Sequence, residues 1–162
     1  MMIRLYHAVC FFALLCFCAV TASAADMYTE TLPVPISKAS GEIQKALSMH
    51  HFKVVMHIDI LKRIEAKESV LHIQNLNPEK FQDVQAMVFC NPMLFSDLLS
   101  AHWSSAAVCP LNLTIFGKGD QTTIVYPKRV AFTHDTPADV VGVKIDNVVI
   151  AALKSIPGAH SK

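Results

Sequence analysis

The chain has 162 residues, 52% of them hydrophobic, with 14 Lys and Arg against 13 Asp and Glu. A formal charge of +1 supplies no basic surface for nucleic acid or an anionic membrane. The length and apolar content suit one domain with a sizeable core.

The opening residues read as a leader. Arg4 precedes an apolar run from Ala8 to Val20, and Ala22-Ser23-Ala24 provides a small-x-small exit, which together predict a secretory signal peptide over residues 1–24, cut before Ala25. The run is short for an uncleaved anchor. Val9, Leu15 and Phe17 stand before the early cysteines where a lipoprotein would carry a small residue. Cleavage removes Arg4, Cys10, Cys16 and Cys18, leaving 138 residues, 13 basic against 13 acidic side chains, and two thiols at Cys90 and Cys109. Two cysteines make no disulfide scaffold, so the core must hold the fold. No membrane span remains, and the expected location is periplasmic or secreted.

The mature part, residues 25–162, shows no repeat or linker and is expected to be a single domain. "DMYTETLPVP" predicts a strand ended by Pro33 and Pro35. "SKASGEIQKALSMH" has Ile43, Ala46 and Leu47 at helical spacing, with caps at Ser37 or Ser40. In "HFKVVMHIDIL", Phe52, Val54, Met56 and Ile58 alternate with Lys53, Val55, His57 and Asp59, the pattern of a strand with one buried face. "LKRIEAKESV" is a short exposed helix and "LHIQNLNPEK" a loop. "FQDVQAMVFC" is a central strand, after which Asn91 as N-cap and Pro92 at the first position start a helix running to about Trp103. Beyond the loop "SSAAVCP", "LNLTIF" and "QTTIVYP" around "GKGD" make a hairpin. "TPADVVGVKIDNVVIAALKSI" is a final helix with a capping box from Thr136 to Asp139. The order β-α-β-α-β-α-β-β-α predicts an α+β two-layer sandwich, one mixed sheet with helices packed on one face.

"ALSMHHFKVVMHIDI", "MVFCNP" ahead of a helix, "CPLNLTIF" and a later strand ending at Pro127 together resemble the family known as domain of unknown function 302, over about residues 40–130. The most specific pieces are Cys90-Asn91-Pro92 and the strand entry at Pro110 to Asn112. The resemblance implies a small bacterial or archaeal α+β domain, dimeric, with no established activity, and favours a periplasmic setting. Two departures stand out. Family members often carry Pro-Cys where this chain has Pro110-Leu111, its cysteine being displaced to Cys109, and a small residue where Phe95 sits.

Cys90 leaves three readings open. A thiol just before a helix faces unpaired N–H groups and the positive end of the helix dipole, which favour a reactive or ligating thiolate. Met93, three residues on, would complete a Cys-x-x-Met pair of soft ligands for Cu(I). Alternatively Cys90 packs as a small apolar residue and Met93 fills a gap. A disulfide to Cys109 is the third reading. An oxidising compartment favours it, but a helix of about eleven residues carries the chain about 16 Å, beyond the bridging distance of about 6 Å, unless the 104–108 loop returns it. The free state is therefore the one expected.

The histidines make no local metal site, since His50 and His51 point different ways and His57 lies about 20 Å further along a strand. His57 and Asp59 share a face, as an acid–base pair or as an exposed polar face. His102 and Trp103 at a helix end line a pocket or compensate the helix dipole. Standard catalytic signatures are missing from the sequence.

The expectation is thus an exported binding or accessory module, a homodimer. Its site lies where the "FCNPM" junction meets the hairpin, with Cys90, Asn91, Met93, His102 and Cys109 around a soft metal such as Cu(I) or a small thiol or sulfur ligand. The rivals are a thiol-dependent enzyme using Cys90, and a dimerisation module without ligand.

Overall fold

A computed structural model describes residues 26–161; the leader expected over 1–24 and its cleavage before Ala25 lie outside the described residues. In chain order these residues form β1 (Met27–Leu32), α1 (Ile36–Met49), β2 (Lys53–Asp59), α2 (Ile60–Glu65), α3 (Glu68–Leu71), β3 (Asp83–Cys90) and α4 (Pro92–Ala101). A 3-10 helix (Trp103–Val108), β4 (Leu111–Lys118), β5 (Gln121–Pro127), α5 (Val130–Thr133), α6 (Asp139–Lys154) and β6 (His160–Ser161) follow. Among the described residues no helix is long and apolar enough to cross a membrane.

The six strands form one sheet in the order β2-β3-β4-β5-β1-β6. Every neighbouring pair is antiparallel, so the α+β class holds while the expected mixed sheet is corrected. The reason lies in the connections. The helices between β2 and β3, and between β3 and β4, do not cross over the sheet. They leave and return at the same sheet end, as the rungs Asp59↔Gln85 and Phe89↔Leu111 show.

Alternation in β3, β4 and β5 decides which side is covered. Met87, Phe89, Leu111, Leu113, Ile115, Ile124 and Tyr126 face one side and are buried. Onto them α1 lays Ala39, Ile43, Ala46 and Leu47, and α6 lays Ile145, Val149, Ala152 and Leu153, at the spacings that put residues on one helix face. Each fully buried aliphatic side chain contributes about 1.5–3 kcal/mol. The intervening residues Val84, Ala86, Val88, Thr114, Phe116, Thr123 and Val125 point to the other side and remain partly exposed.

Several local expectations change. A bulge between Val54 and Met56 reverses the alternation of β2, so Met56 and Ile58 lie with Val88 and Ala86 on the second face, away from the core. α1 starts at Ile36, where the Pro35 carbonyl accepts from Lys38 and Ala39 N–H, and Ser37 and Ser40 therefore lie inside the helix. The capping box of α6 does not form, because the Thr136 hydroxyl donates to the Thr133 carbonyl and accepts from Ala138 N–H. The hairpin turn is as expected: Lys118 pairs with Gln121 across two residues, with Gly119 at φ 61°, a conformation suited to glycine.

Candidate functional site

Cys90 is the last residue of β3, and Cys109 stands two residues ahead of β4. Because these strands are antiparallel neighbours, the rung Phe89↔Leu111 brings both cysteines to one sheet end. α4 carries the chain away and the 3-10 helix carries it back, closing with Cys109 N–H on the Ala106 carbonyl. The Cys90 thiol consequently lies close enough to Cys109 for the two to interact, and the separation expected from the helix length is corrected. Both thiols are free and partly exposed. Burial, and then the neighbouring Cys90, push the Cys109 thiol up to about 11 against an opposing pull from the Arg129 guanidinium, so Cys109 is a protonated thiol at neutral pH.

The helix start does not serve Cys90 as expected. Asn91 Oδ1 accepts from Met93 N–H at 2.9 Å and Leu94 N–H at 3.3 Å, the Asn91 carbonyl accepts from Phe95 N–H, and Pro92 has no N–H. The orphan donors of the first turn are thus satisfied by Asn91 itself. Met93 is 74% exposed and fills no gap in the core. The soft donor set against Cys90 is Cys109. Among the described residues no group of three or more His, Cys, Asp or Glu is placed to hold a metal.

His102 is held by Ser104, with Nδ1 at 2.7 Å from the hydroxyl, and its ring leans on Trp103 at 5.7 Å. It lines a cleft of about 420 Å³ with Ser104, Val108, Phe132, Asp135 and Thr136, Val108 being the chain neighbour of Cys109. His57 bonds Gln85 at 2.7 Å, and no acid–base pair with Asp59 forms.

The sequence reading missed a buried polar cluster at the same end of the sheet. Asp146, 4% exposed on α6, accepts from the Tyr126 hydroxyl at 2.8 Å and from Arg129 and Val130 N–H at 2.7 and 2.9 Å. Burial, and then Asp146, raise the Tyr126 phenol above its ordinary range, keeping it a donor. Arg129 is 6% exposed, lies over the Tyr126 and Phe132 rings, and donates to Asn112 Oδ1 at 2.8 Å. Its Nε has no partner. Asp146 had a readable signal, since it shares the buried helix stripe of Gly142, Ile145 and Val149. Arg129, in a loop after Pro127, had none. Gly142 lets α5 dock: a Cβ there would lie 1.9 Å from Thr133 Oγ1.

The family described as Domain of unknown function DUF302 matches over residues 28–152. No curated protein matches the chain. The crystal structure of an uncharacterized conserved protein DUF302 from Bacillus stearothermophilus is similar at a TM-score of 0.69 and 17% identity, covering 82% of this chain and 99% of that one, a likeness of fold. The ligand-free regulatory subunit of aspartate kinase from Thermus thermophilus aligns at 13% identity over 78% of this chain and 93% of that one, with a TM-score of 0.16, and carries no argument.

Proposed function

The chain belongs to the family of domain of unknown function DUF302, and on that premise we propose that it is an exported binding or accessory module taking a soft ligand, Cu(I) or a small thiol or sulfur compound, at Cys90. One observation supports this reading: a second sulfur, Cys109, is brought beside Cys90 by the antiparallel pairing of β3 with β4. Paired thiols suit soft monovalent metals and sulfur chemistry better than hard ions. An enzyme with Cys90 as activated nucleophile has less support, since Asn91 occupies the amides that would activate it.

Anaerobic titration of the reduced protein with Cu(I) is expected to saturate at one ion per chain and raise the melting temperature. A ligand present at 100 times its Kd stabilises by about 2.7 kcal/mol. An unshifted melting curve, with Cys90 alkylated equally fast with and without Cu(I), refutes the reading.

A dimer through the second face of the sheet is favoured by a separate observation. Across the middle of β3, β4 and β5 that face presents Val84, Ala86, Val88, Thr114, Phe116, Thr123 and Val125, all partly exposed and uncharged, with Lys118 and Lys53 at its margins. Such a surface meets its own copy about a two-fold axis without opposing like charges. Sedimentation of the protein should show a dimer that Val88→Lys converts to a folded monomer; a monomeric parent at high concentration sinks the idea.

A further inference from the structure

The two sulfurs are placed by backbone. The Phe89↔Leu111 rung fixes the strand ends next to both cysteines, and the cap of the 3-10 helix on Cys109 N–H completes the approach of Cys109 to Cys90. The two positions also differ. Cys109 packs against the core, whereas alternation puts Cys90 on the half-exposed second face, beside Val88. Lys53 is the cross-strand partner of Cys90, and opposed residues have Cβ atoms about 4.5–5.5 Å apart. On the other side, the Arg129 guanidinium is close enough to act on Cys109. An outer sulfur with the exposed Lys53 opposite it, and an inner sulfur behind, form an arrangement that favours small disulfides bearing carboxylates.

We propose that Cys90 and Cys109 form a thiol–disulfide exchange couple that reacts with small carboxylate-bearing disulfides, Cys90 first, and this rests on the reading that the pair is the ligand site. In the first step the Cys90 sulfur attacks one sulfur of the incoming disulfide. The Cys90 to substrate S–S bond forms, the substrate's own S–S bond breaks, and the departing thiolate takes up the proton that Cys90 loses. In the second step the Cys109 sulfur attacks Cys90, forming the Cys90–Cys109 bond and releasing the second substrate thiol with the proton from Cys109. One external disulfide is reduced to two thiols and the protein dithiol is oxidised by two electrons. Because the two sulfurs are already held together, the second step is effectively unimolecular and fast. The closed bond engages both sulfurs, so only the reduced protein takes the soft ligand.

The test incubates the reduced protein with oxidised glutathione and reads Cys90 and Cys109 by alkylation and peptide mass spectrometry. The expected product is an intramolecular bond between them, with no lasting glutathione adduct. Cys109→Ser should trap glutathione on Cys90. Cys90→Ser should slow reaction at Cys109 by about tenfold or more, in line with its burial. Lys53→Glu should slow oxidised glutathione and speed the cationic disulfide cystamine, each by a few-fold, an effect that fades in high salt. Both thiols remaining alkylatable in the parent protein overturns the couple, and needs no variant. Equal rates at Cys109 with and without Cys90 overturn the order of attack, and unchanged rates in Lys53→Glu overturn the preference for anions. Cu(I) titration of the same reduced sample separates the two readings. A bond that closes in a protein binding no Cu(I) removes the soft-metal function and leaves the couple, while Cu(I) binding by a pair that never closes does the reverse.

Discussion

The two faces of the sheet are built from the same strands by the same alternation, yet they have opposite fates. Leu113, Ile115 and Ile124 have no exposed surface under α1 and α6, while Thr114, Phe116 and Val125, one position away in each case, stay half-exposed. What separates them is the helical layer, for both faces are rich in side chains suited to strands. Stability is concentrated on the covered face. The second face, and the sheet end where the cysteines meet, lie outside that helical cover.

The sharpest way to break this comparison is to disturb the polar group buried with the covered face. Asp146→Ala leaves the Tyr126 hydroxyl and the Arg129 and Val130 N–H groups, all bonded to a buried carboxylate, without their acceptor. A loss of about 3–5 kcal/mol is expected, measured by urea denaturation; a loss below about 1 kcal/mol would mean that this cluster does not hold α6 to β5. The apolar counterpart is next in size. Ile115→Ala empties a fully buried site and should cost about 2–5 kcal/mol, while Val125→Ala on the second face should cost under about 1.5 kcal/mol in the monomer. Equal losses at the two positions would show that the second face is covered in solution, as dimerisation requires.

How much of this was legible follows physical lines. The β4–β5 hairpin could be read because alternation and Gly119 act locally, and Asn91-Pro92 because cap and first-turn chemistry need no distant partner. The bulge in β2 was not legible, since Val55 carries no compositional mark of the extra residue. The site itself depended on long-range pairing. With β3 and β4 taken as joined by a crossover, Cys109 falls at the far end of the sheet; as antiparallel neighbours, they bring it to Cys90. The return leg was the segment Trp103–Val108, an unmarked loop by composition that closes as a 3-10 helix. Arg129 escaped for a similar reason, because its partner Asn112 lies on another strand.

The smallest expected effect tests the sheet end that carries the thiols. Burial holds the Cys109 thiol at about 11 in the folded chain against an ordinary 9.0, with the adjacent Cys90 as a further cause. Above pH 9 the unfolded chain has released that proton and the folded chain still holds it, so the folded state is disfavoured as pH rises. The stability linked to this thiol is present below about 9 and lost by about 11. Because Cys109 remains partly exposed, the change is modest, and the raised Tyr126 and Tyr28 phenols act in the same direction at higher pH. Urea midpoints of the reduced protein between pH 8 and 10.5 should fall, and Cys109→Ser should flatten the early part of that fall. An unchanged slope in Cys109→Ser would place the thiol in water, away from Cys90, and the contact on which the ligand site depends would have to be abandoned.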